Sequence, residues 1–469
     1  MSILTILDSA AAGSVRPDPA SSTPAQTPAV SSSSAPTSSA PTSSAPTSGV
    51  PSPAASSSGA RSSAVTRIPA VLGADLRVPV KDGRQVPYAN LDYAASAPCL
   101  EAVSEAVAEA LPAYSSVHRG AGYASRLTTA RYEQARHTVR AFAGARPDDA
   151  VVFTRNTTDA MNLLARCLPD GTTVVVFESE HHASLLPWGR AVRLAPPASP
   201  GEAVRAADRA LAALDGPALL VVTAASNVTG ELWPVAALAA VAHGYGARIA
   251  VDAAQFAPHR RLDIAALDAD YVAFSGHKLY APFGAGALIG RGDWLARAEP
   301  YLRGGGASKN VGDEVEWSAD PEQRHEAGTP NVLGAIALAA ACETLTAAGW
   351  TELVREEERL TARLRAGLPN GVRELALWGP DHPRIGVVSF TVDGRGAREV
   401  AEILSSEYGI GVRDGKFCAH PLVRRLVGGE GGCVDGSGAA VRASIGIGTT
   451  DEHVDRLIAA LRDIVEGKV

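Results

Sequence analysis

Lysine, cysteine and methionine are all scarce in this chain of 469 residues, which has only two methionines. Of its 43 basic residues five are lysines: Lys81, Lys278, Lys309, Lys416 and Lys468. Arginine fills nearly every place where a charge alone is needed, so each lysine raises the question of what arginine could not do. The chemical difference is that a lysine amine can lose its proton and attack a carbonyl, whereas guanidinium stays charged. The five cysteines (Cys99, Cys167, Cys342, Cys418, Cys433) are scattered and form no C-x-x-C pair. That pattern argues against a disulfide framework or a zinc knuckle and makes a reducing cytoplasm the default location. An excess of basic charge is also missing. The formal net charge is −7, so no global basic surface exists for nucleic acid or anionic membrane. No run approaches 18 uninterrupted apolar residues, the length that would mark a membrane span. The opening Met1–Leu7 is mildly apolar but lacks the basic region and hydrophobic length of a secretory signal.

What is present is ample apolar material, 46% of residues, enough for a large packed core. From Ser21 to Ser63 the chain is almost all Ser, Ala, Pro, Thr and Gly; residues 1–65 are expected to form a disordered tail. Short β-rich runs follow at 151–153, 174–177, 219–223, 249–251, 271–274 and 287–289, with helical spacing in 203–214 and 235–243 between them. Strands alternating with helices predict an α/β fold, a mostly parallel sheet covered on both faces, over a large domain at 66–370. Strand-like runs at 387–392 and 441–447 and an amphipathic helix over 452–465 predict a smaller α+β domain at 371–469.

Val251-Asp252-Ala253-Ala254-Gln255 ends one expected strand with a carboxylate, and the strand 271–274 runs into Ser275-Gly276-His277-Lys278. Ligands of open α/β sheets sit beyond the carboxyl ends of the strands. An Asp and a Lys offered there suit pyridoxal phosphate, with the lysine forming the Schiff base and the carboxylate keeping the pyridine nitrogen protonated. A strand-end ion pair has the same spacing. Thr154-Arg155-Asn156-Thr157-Thr158 precedes a helical run, either as a phosphate cradle or as an ordinary Thr or Asp helix cap. Glu180-His181-His182 lacks a third metal ligand at useful spacing and reads better as a stacking or acid–base group beside a cofactor. Gly284-Ala285-Gly286 precedes a strand, and neither it nor Gly304-Gly305-Gly306 has dinucleotide spacing.

Several motifs, in order along the chain, carry a family resemblance: Leu91-Asp92-Tyr93-Ala94-Ala95-Ser96-Ala97-Pro98, Val117-His118-Arg119-Gly120, Glu180-His181-His182-Ala183-Ser184, Ser226-Asn227-Val228-Thr229-Gly230, Ser275 to Tyr280, Glu326 to Asn331 and Arg442-Ala443-Ser444. From about residue 85 on, the chain resembles the fold type I, class V pyridoxal-phosphate enzymes. Within them it is similar to the SUF-type cysteine desulfurases, a group that includes selenocysteine lyase-like members. The resemblance implies that Lys278 is the Schiff-base lysine and Asp252 the pyridine-nitrogen partner. Gln255 would bond the ring hydroxyl, His181 would stack on the ring, and Thr158, Ser275 and His277 would hold the phosphate. A second subunit would complete that site from Gly328-Thr329, implying a homodimer. Arg442 would bind the substrate carboxylate, a bidentate task suited to guanidinium, with Arg413 and Asn227 lining the pocket. Cys418, by motif position, would be the thiol that accepts sulfur as a persulfide, while the other four cysteines are expected to be small buried thiols. The expected reaction converts L-cysteine to L-alanine and leaves sulfur for an acceptor protein.

Four positions depart from the family pattern. Lys416 and Phe417 stand where two histidines usually precede the cysteine, Ala224 stands where histidine is common, and Arg303 where glutamate is usual. A class V aminotransferase, β-lyase or epimerase without a persulfide is the alternative, and a non-catalytic scaffold is a third.

Overall fold

Valine, isoleucine and leucine occupy consecutive positions of the central strands because both faces of the sheet are covered. The computed structural model describes residues 68–428 and 438–469; the expected tail and Cys433 lie outside the described residues. Seven strands form the main sheet: β1 (Asp149–Thr154), β2 (Thr173–Phe177), β3 (Ala191–Leu194), β4 (Ala218–Thr223), β5 (Arg248–Asp252), β6 (Tyr271–Ser275) and β7 (Gly286–Arg291). Their spatial order is β1-β7-β6-β5-β4-β2-β3. Strand β7 is antiparallel to both its neighbours, and the others pair in parallel. Every residue of β2, β4 and β6 is buried, as expected of strands sandwiched between helices. Only β3, at the edge, alternates between exposed and half-buried.

Alternate strand residues separate into two apolar clusters. Val175, Leu220, Val222, Ile249, Val251, Val272 and Phe274 pack with the helices Pro200–Ala212, Val235–Gly244 and Val332–Ala348. Val174, Val176, Leu219, Val221, Ala250 and Ala273 pack on the other face with the helix Thr157–Arg166. Among the described residues no single helix is long and apolar enough to cross a bilayer. Val332–Ala348 and Trp350–Gly367 pass that test only as a pair, bent by 84°.

One register detail positions the site. Gly286 pairs with both Thr154 and Ser275, so the carboxyl ends of β1 and β6 flank the start of β7. A Cβ at Gly286 would sit 2.6 Å from Phe274 O and 2.9 Å from Asn156 Cα. Glycine is therefore required there for close strand approach, which explains the Gly-Ala-Gly run without any nucleotide.

A second sheet, all antiparallel, is built from β8 (Val372–Glu374), β9 (Val387–Val392), β10 (Arg413–Gly415) and β11 (Ala440–Ser444) in the order β8-β9-β11-β10. The helices Ala397–Tyr408 and Asp451–Val465 cover it through Val400, Leu404, Val454, Leu457 and Leu461. The same cluster takes in Leu360 and Leu364, and also Ala89 and Leu91 from the beginning of the described chain. The short strand Ala89–Asn90 pairs in parallel with Ile410–Gly411.

The segment before Gly328 is fixed by a buried charge network. Glu326 accepts hydrogen bonds from Arg136 Nη1 (2.7 Å) and Nη2 (2.8 Å), Tyr132 Oη (2.7 Å) and Phe153 N (2.7 Å). The Arg136 and Glu326 side chains are 5% and 6% exposed. Removing Glu326 leaves Tyr132 Oη and Phe153 N without their acceptor, while Glu133 (3.0 Å) and Glu322 (3.4 Å) still pair with Arg136. Glu326→Ala is expected to lower unfolding stability by about 2–4 kcal/mol, the cost of those unpaired buried donors, read from urea denaturation midpoints. A loss below about 1 kcal/mol, the range of an exposed pair, would contradict this account.

Candidate active site

Strand ends set the positions of the chemical groups. β5 terminates at Asp252, and β6 terminates at Ser275 just before Lys278. β1 leads through Asn156 into the helix Thr157–Arg166. The cap of that helix is Asn156, whose Oδ1 accepts from Asp159 N at 3.0 Å, so Thr157 and Thr158 form its first turn, at the positive end of the helix. These ends surround a cavity of ≈ 240 Å³. The cavity wall includes Lys278, Asp252, Gln255, His181, Thr158, Ser275, His277, Asn227, Arg413, Cys418 and Arg442. Of the expected site residues only Thr329 is absent from the wall; it is exposed, on the loop that follows Glu326.

Asp252 is 4% exposed and oriented by two donors, Ser184 Oγ at 2.7 Å and Ala254 N at 2.9 Å. Ser184, in the first short helix after β2, thus acts on the site through Asp252; the serine of the Glu-His-His-Ala-Ser run is its sequence trace. His181 Nδ1 accepts from Ala183 N at 3.0 Å, which assigns the ring proton to Nε2. Burial, with the Lys278 charge adding to it, lowers the His181 pKa to about 4, so the ring is neutral and flat-faced at physiological pH. His277 is likewise lowered to about 4, by burial and then Lys278. The backbone carbonyl of His277 accepts from Ala97 N (2.8 Å) and Ser96 Oγ (3.2 Å).

Lys278 is pushed down to about 8 by burial, with Arg442 adding and Asp252 and Cys418 opposing. It has no ion-pair partner among the described residues, whereas Lys81, Lys309 and Lys468 sit in exposed pairs with Glu407, Glu316 and Asp463. Glu180 is completely buried, and that burial, with Asp252 nearby, holds its carboxyl well above the ordinary range. Ser275 Oγ accepts from Thr157 N at 2.8 Å and shares a hydrogen bond with Thr157 Oγ1 at 2.8 Å, tying the helix start to the lysine loop. The chain distance of 118 residues between them hid this link from motif reading.

At the other end of the cavity Arg442, from β11, is 3% exposed. Its Nη1 donates to Asn227 O at 3.1 Å and its Nη2 to Asp92 Oδ1 at 3.3 Å. Burial lowers its pKa, yet guanidinium remains charged throughout the physiological range. Arg413 pairs with Arg442 across the β10–β11 register. Asn227, expected only to line the pocket, also donates from Nδ2 to Phe417 O at 2.7 Å. Cys418 is exposed. Among the other described cysteines, Cys167 and Cys342 are buried and Cys99 is half-buried. Burial pushes the Cys167 thiol up to about 12, Cys342 well up, and Cys99 up as well.

Whether pyridoxal phosphate fits can be judged from the donor set. Gln255 Nε2 is bound to Ala94 O at 2.7 Å, but its Oε1 is buried in the cavity wall without a partner, an acceptor ready for a ring hydroxyl. A helix start, two threonines, Ser275 and His277 suit a phosphate; an oriented carboxylate suits a pyridine nitrogen, and a low-pKa amine suits an aldehyde. The site fits the cofactor. The class defined by the fold and these groups is the pyridoxal-phosphate enzymes of fold type I.

Residues 89–457 match the family described as aminotransferase class-V, and the chain belongs to that family. It is similar to a cysteine desulfurase of Dickeya dadantii, 37% identical over 393 residues, spanning 81% of this chain and 92% of the relative. A cysteine desulfurase of Klebsiella pneumoniae is 37% identical over 408 residues, spanning 83% and 97%. Among solved structures, the apo cysteine desulfurase of Thermococcus onnurineus superposes with a TM-score of 0.73 at 32% identity, covering 81% of this chain and 95% of that one. An Escherichia coli cysteine desulfurase in an S-sulfonic acid form gives 0.68 at 32% identity, covering 81% and 95%.

A pKa near 8 sets a sign for pH dependence. Below it Lys278 is an ammonium; above it the free amine can attack an aldehyde. Uptake of pyridoxal phosphate by the apo-protein, followed by absorbance, is expected to quicken as pH rises through about 8 and then level off. A rate still climbing near ~10, where an ordinary lysine titrates, would refute the shift.

Proposed function

We propose that this chain is a pyridoxal-phosphate-dependent cysteine desulfurase that converts L-cysteine to L-alanine and takes the sulfur onto Cys418 as a persulfide. The observation that carries this reading is an exposed cysteine on the wall of the same cavity that holds Lys278, Asp252 and Arg442. An aminotransferase has no use for a thiol there. Similarity to cysteine desulfurases over more than four-fifths of the chain supports the same reaction.

Thr157, Thr158, Ser275 and His277 would hold the cofactor phosphate, Asp252 would face the ring nitrogen, Gln255 the ring hydroxyl and His181 the ring face. When bound, pyridoxal phosphate supplies a carbonyl for the substrate amine and an electron-withdrawing ring that stabilises charge at Cα. Arg442 receives the substrate carboxylate. Lys278 Nζ, uncharged in an appreciable fraction near pH 8, takes the α-proton as general base. The Cys418 thiolate then forms an S–S bond to the substrate sulfur while the substrate Cβ–S bond breaks. Because the thiolate supplies both electrons of the new S–S bond, the Cβ–S pair leaves with the carbon skeleton, the substrate thiol proton is released, and protonation of the skeleton gives alanine. The persulfide is handed to an acceptor thiol, and an exposed Cys418 suits both that transfer and a reducing compartment such as the cytoplasm.

A homodimer is part of this reading. Thr329 is exposed and outside the cavity of its own chain, and the nearby segment carries exposed Leu302, Val311 and Val315. Gly328 N donates to Gly305 O at 2.8 Å, joining that apolar surface to the Gly328-Thr329 turn. A second chain seated there would bring Thr329 to the opposite phosphate site. The test of function is alanine and sulfide release from L-cysteine by the cofactor-loaded protein in the presence of a thiol reductant. A yellow, cofactor-bound protein releasing no alanine would defeat the reading.

A further inference from the structure

Phe417 and Cys418 are consecutive residues with left-handed backbones, at φ 49° and 53°. A bulky side chain seldom adopts this conformation without being held. Both carbonyls are held: Asn227 Nδ2 donates to Phe417 O at 2.7 Å, and His182 N donates to Cys418 O at 2.7 Å. The turn leaves Cys418 exposed while Phe417 is 8% exposed. The Phe417 ring lies in an apolar cluster with Val228, Leu375, Leu422 and Val423, and its centroid is 5.1 Å from the Arg442 guanidinium carbon. Asn227 joins the two, since its own carbonyl accepts from Arg442 Nη1.

The guanidinium is thus covered by the ring and pinned at both Nη atoms, while its Nε is buried without a partner. A buried N–H of this kind calls for an acceptor, and a carboxylate can take it together with an Nη proton in bidentate fashion. Arg413 and Asp92 act on Arg442 from either side, with Asp414 next to Asp92. Phe417, Ala94, Ala95 and Ala225 form the apolar part of the same cavity wall, and the Phe417 ring narrows it beside Arg442.

We propose that Phe417 is a specificity-determining residue: by covering Arg442 it fixes the guanidinium for one α-carboxylate and confines the site to amino acids with short, uncharged side chains. This rests on Arg442 being the carboxylate group of the proposed function, but not on the sulfur chemistry of Cys418.

The test uses the cofactor-loaded full chain and the absorption change of the bound cofactor during titration with L-alanine and, separately, L-alaninamide, which lacks the carboxylate. Phe417→Leu keeps apolar bulk and removes the aromatic face. It is expected to weaken L-alanine binding by about tenfold with alaninamide unchanged. Phe417→Ala is expected, in addition, to bind L-phenylalanine more tightly than the wild type does. Should Phe417→Ala fail to fold, the leucine variant decides alone. L-alanine binding at wild-type affinity in Phe417→Leu, while Arg442→Lys lowers the alanine-to-alaninamide preference, overturns the proposal alone. An unchanged preference in Arg442→Lys removes both the proposal and the carboxylate assignment beneath it.

Discussion

Cys418→Ala is expected to lose alanine formation from L-cysteine by at least ~10³-fold, the scale on which a covalent nucleophile matters, while the bound cofactor keeps its spectrum. The second half of that expectation follows from placement. Cys418 belongs to the loop between β10 and the helix His420–Val427, and among the described residues its hydrogen bond runs through the backbone carbonyl, to His182 N. Its thiol supports neither Asp252 nor Ser275. Cys418→Ser is the companion variant, since it keeps the turn and its polarity yet cannot form a persulfide. Mass spectrometry of the wild type after incubation with L-cysteine should show one added sulfur on the peptide containing Cys418. Full turnover in either variant would move the protein to the aminotransferase, lyase or epimerase alternative.

Lys278→Arg is expected to lower turnover by ~10²–10⁴-fold, the contribution of a positioned general base, and to abolish borohydride-stable attachment of the cofactor. Arginine preserves the positive charge and much of the length but cannot surrender its proton. This substitution therefore separates charge from chemistry in a chain that otherwise uses arginine freely. Noncovalent cofactor binding should persist, because Thr157, Ser275 and Asp252 are held by contacts that do not involve Lys278. Cofactor that remained reducible onto the protein would place the attachment elsewhere.

The sequence disclosed those parts of the site whose signal is local. Asp252 and Lys278 stand at the ends of short apolar runs, and a strand end is visible from composition alone. The fully buried strands were legible for the same reason. The edge strand β3 was not, because Ala191-Val192-Arg193-Leu194 is short and half exposed. The choice of Asn156 over a threonine or aspartate as helix cap depends on one backbone torsion and one hydrogen bond. Contacts that orient the site are the least legible. Asp92 and Arg442 lie 350 residues apart, Ser184 and Asp252 lie 68 apart, and nothing in either neighbourhood names the other. The packing of Phe417 on Arg442 is equally nonlocal; from the sequence it was only a departure from a motif.

The early segment that closes the small sheet has a consequence for how the protein is made. Leu91 O accepts from Ser444 Oγ across 353 residues, and Ala89 and Leu91 are fully buried against side chains from the other end of the chain. During synthesis this segment emerges well before residues 440–444 and waits, unpaired, until they have been translated. Once the C-terminal residues arrive, the entropy of joining such distant ends grows only logarithmically with the length between them, so the long wait adds little to the thermodynamic cost. Asp92 is the next residue, and it reaches Arg442 only after that closure. A ribosome-bound chain can thus hold its central sheet while Arg442 is still unplaced, and that wall of the cavity forms only once β11 has been added.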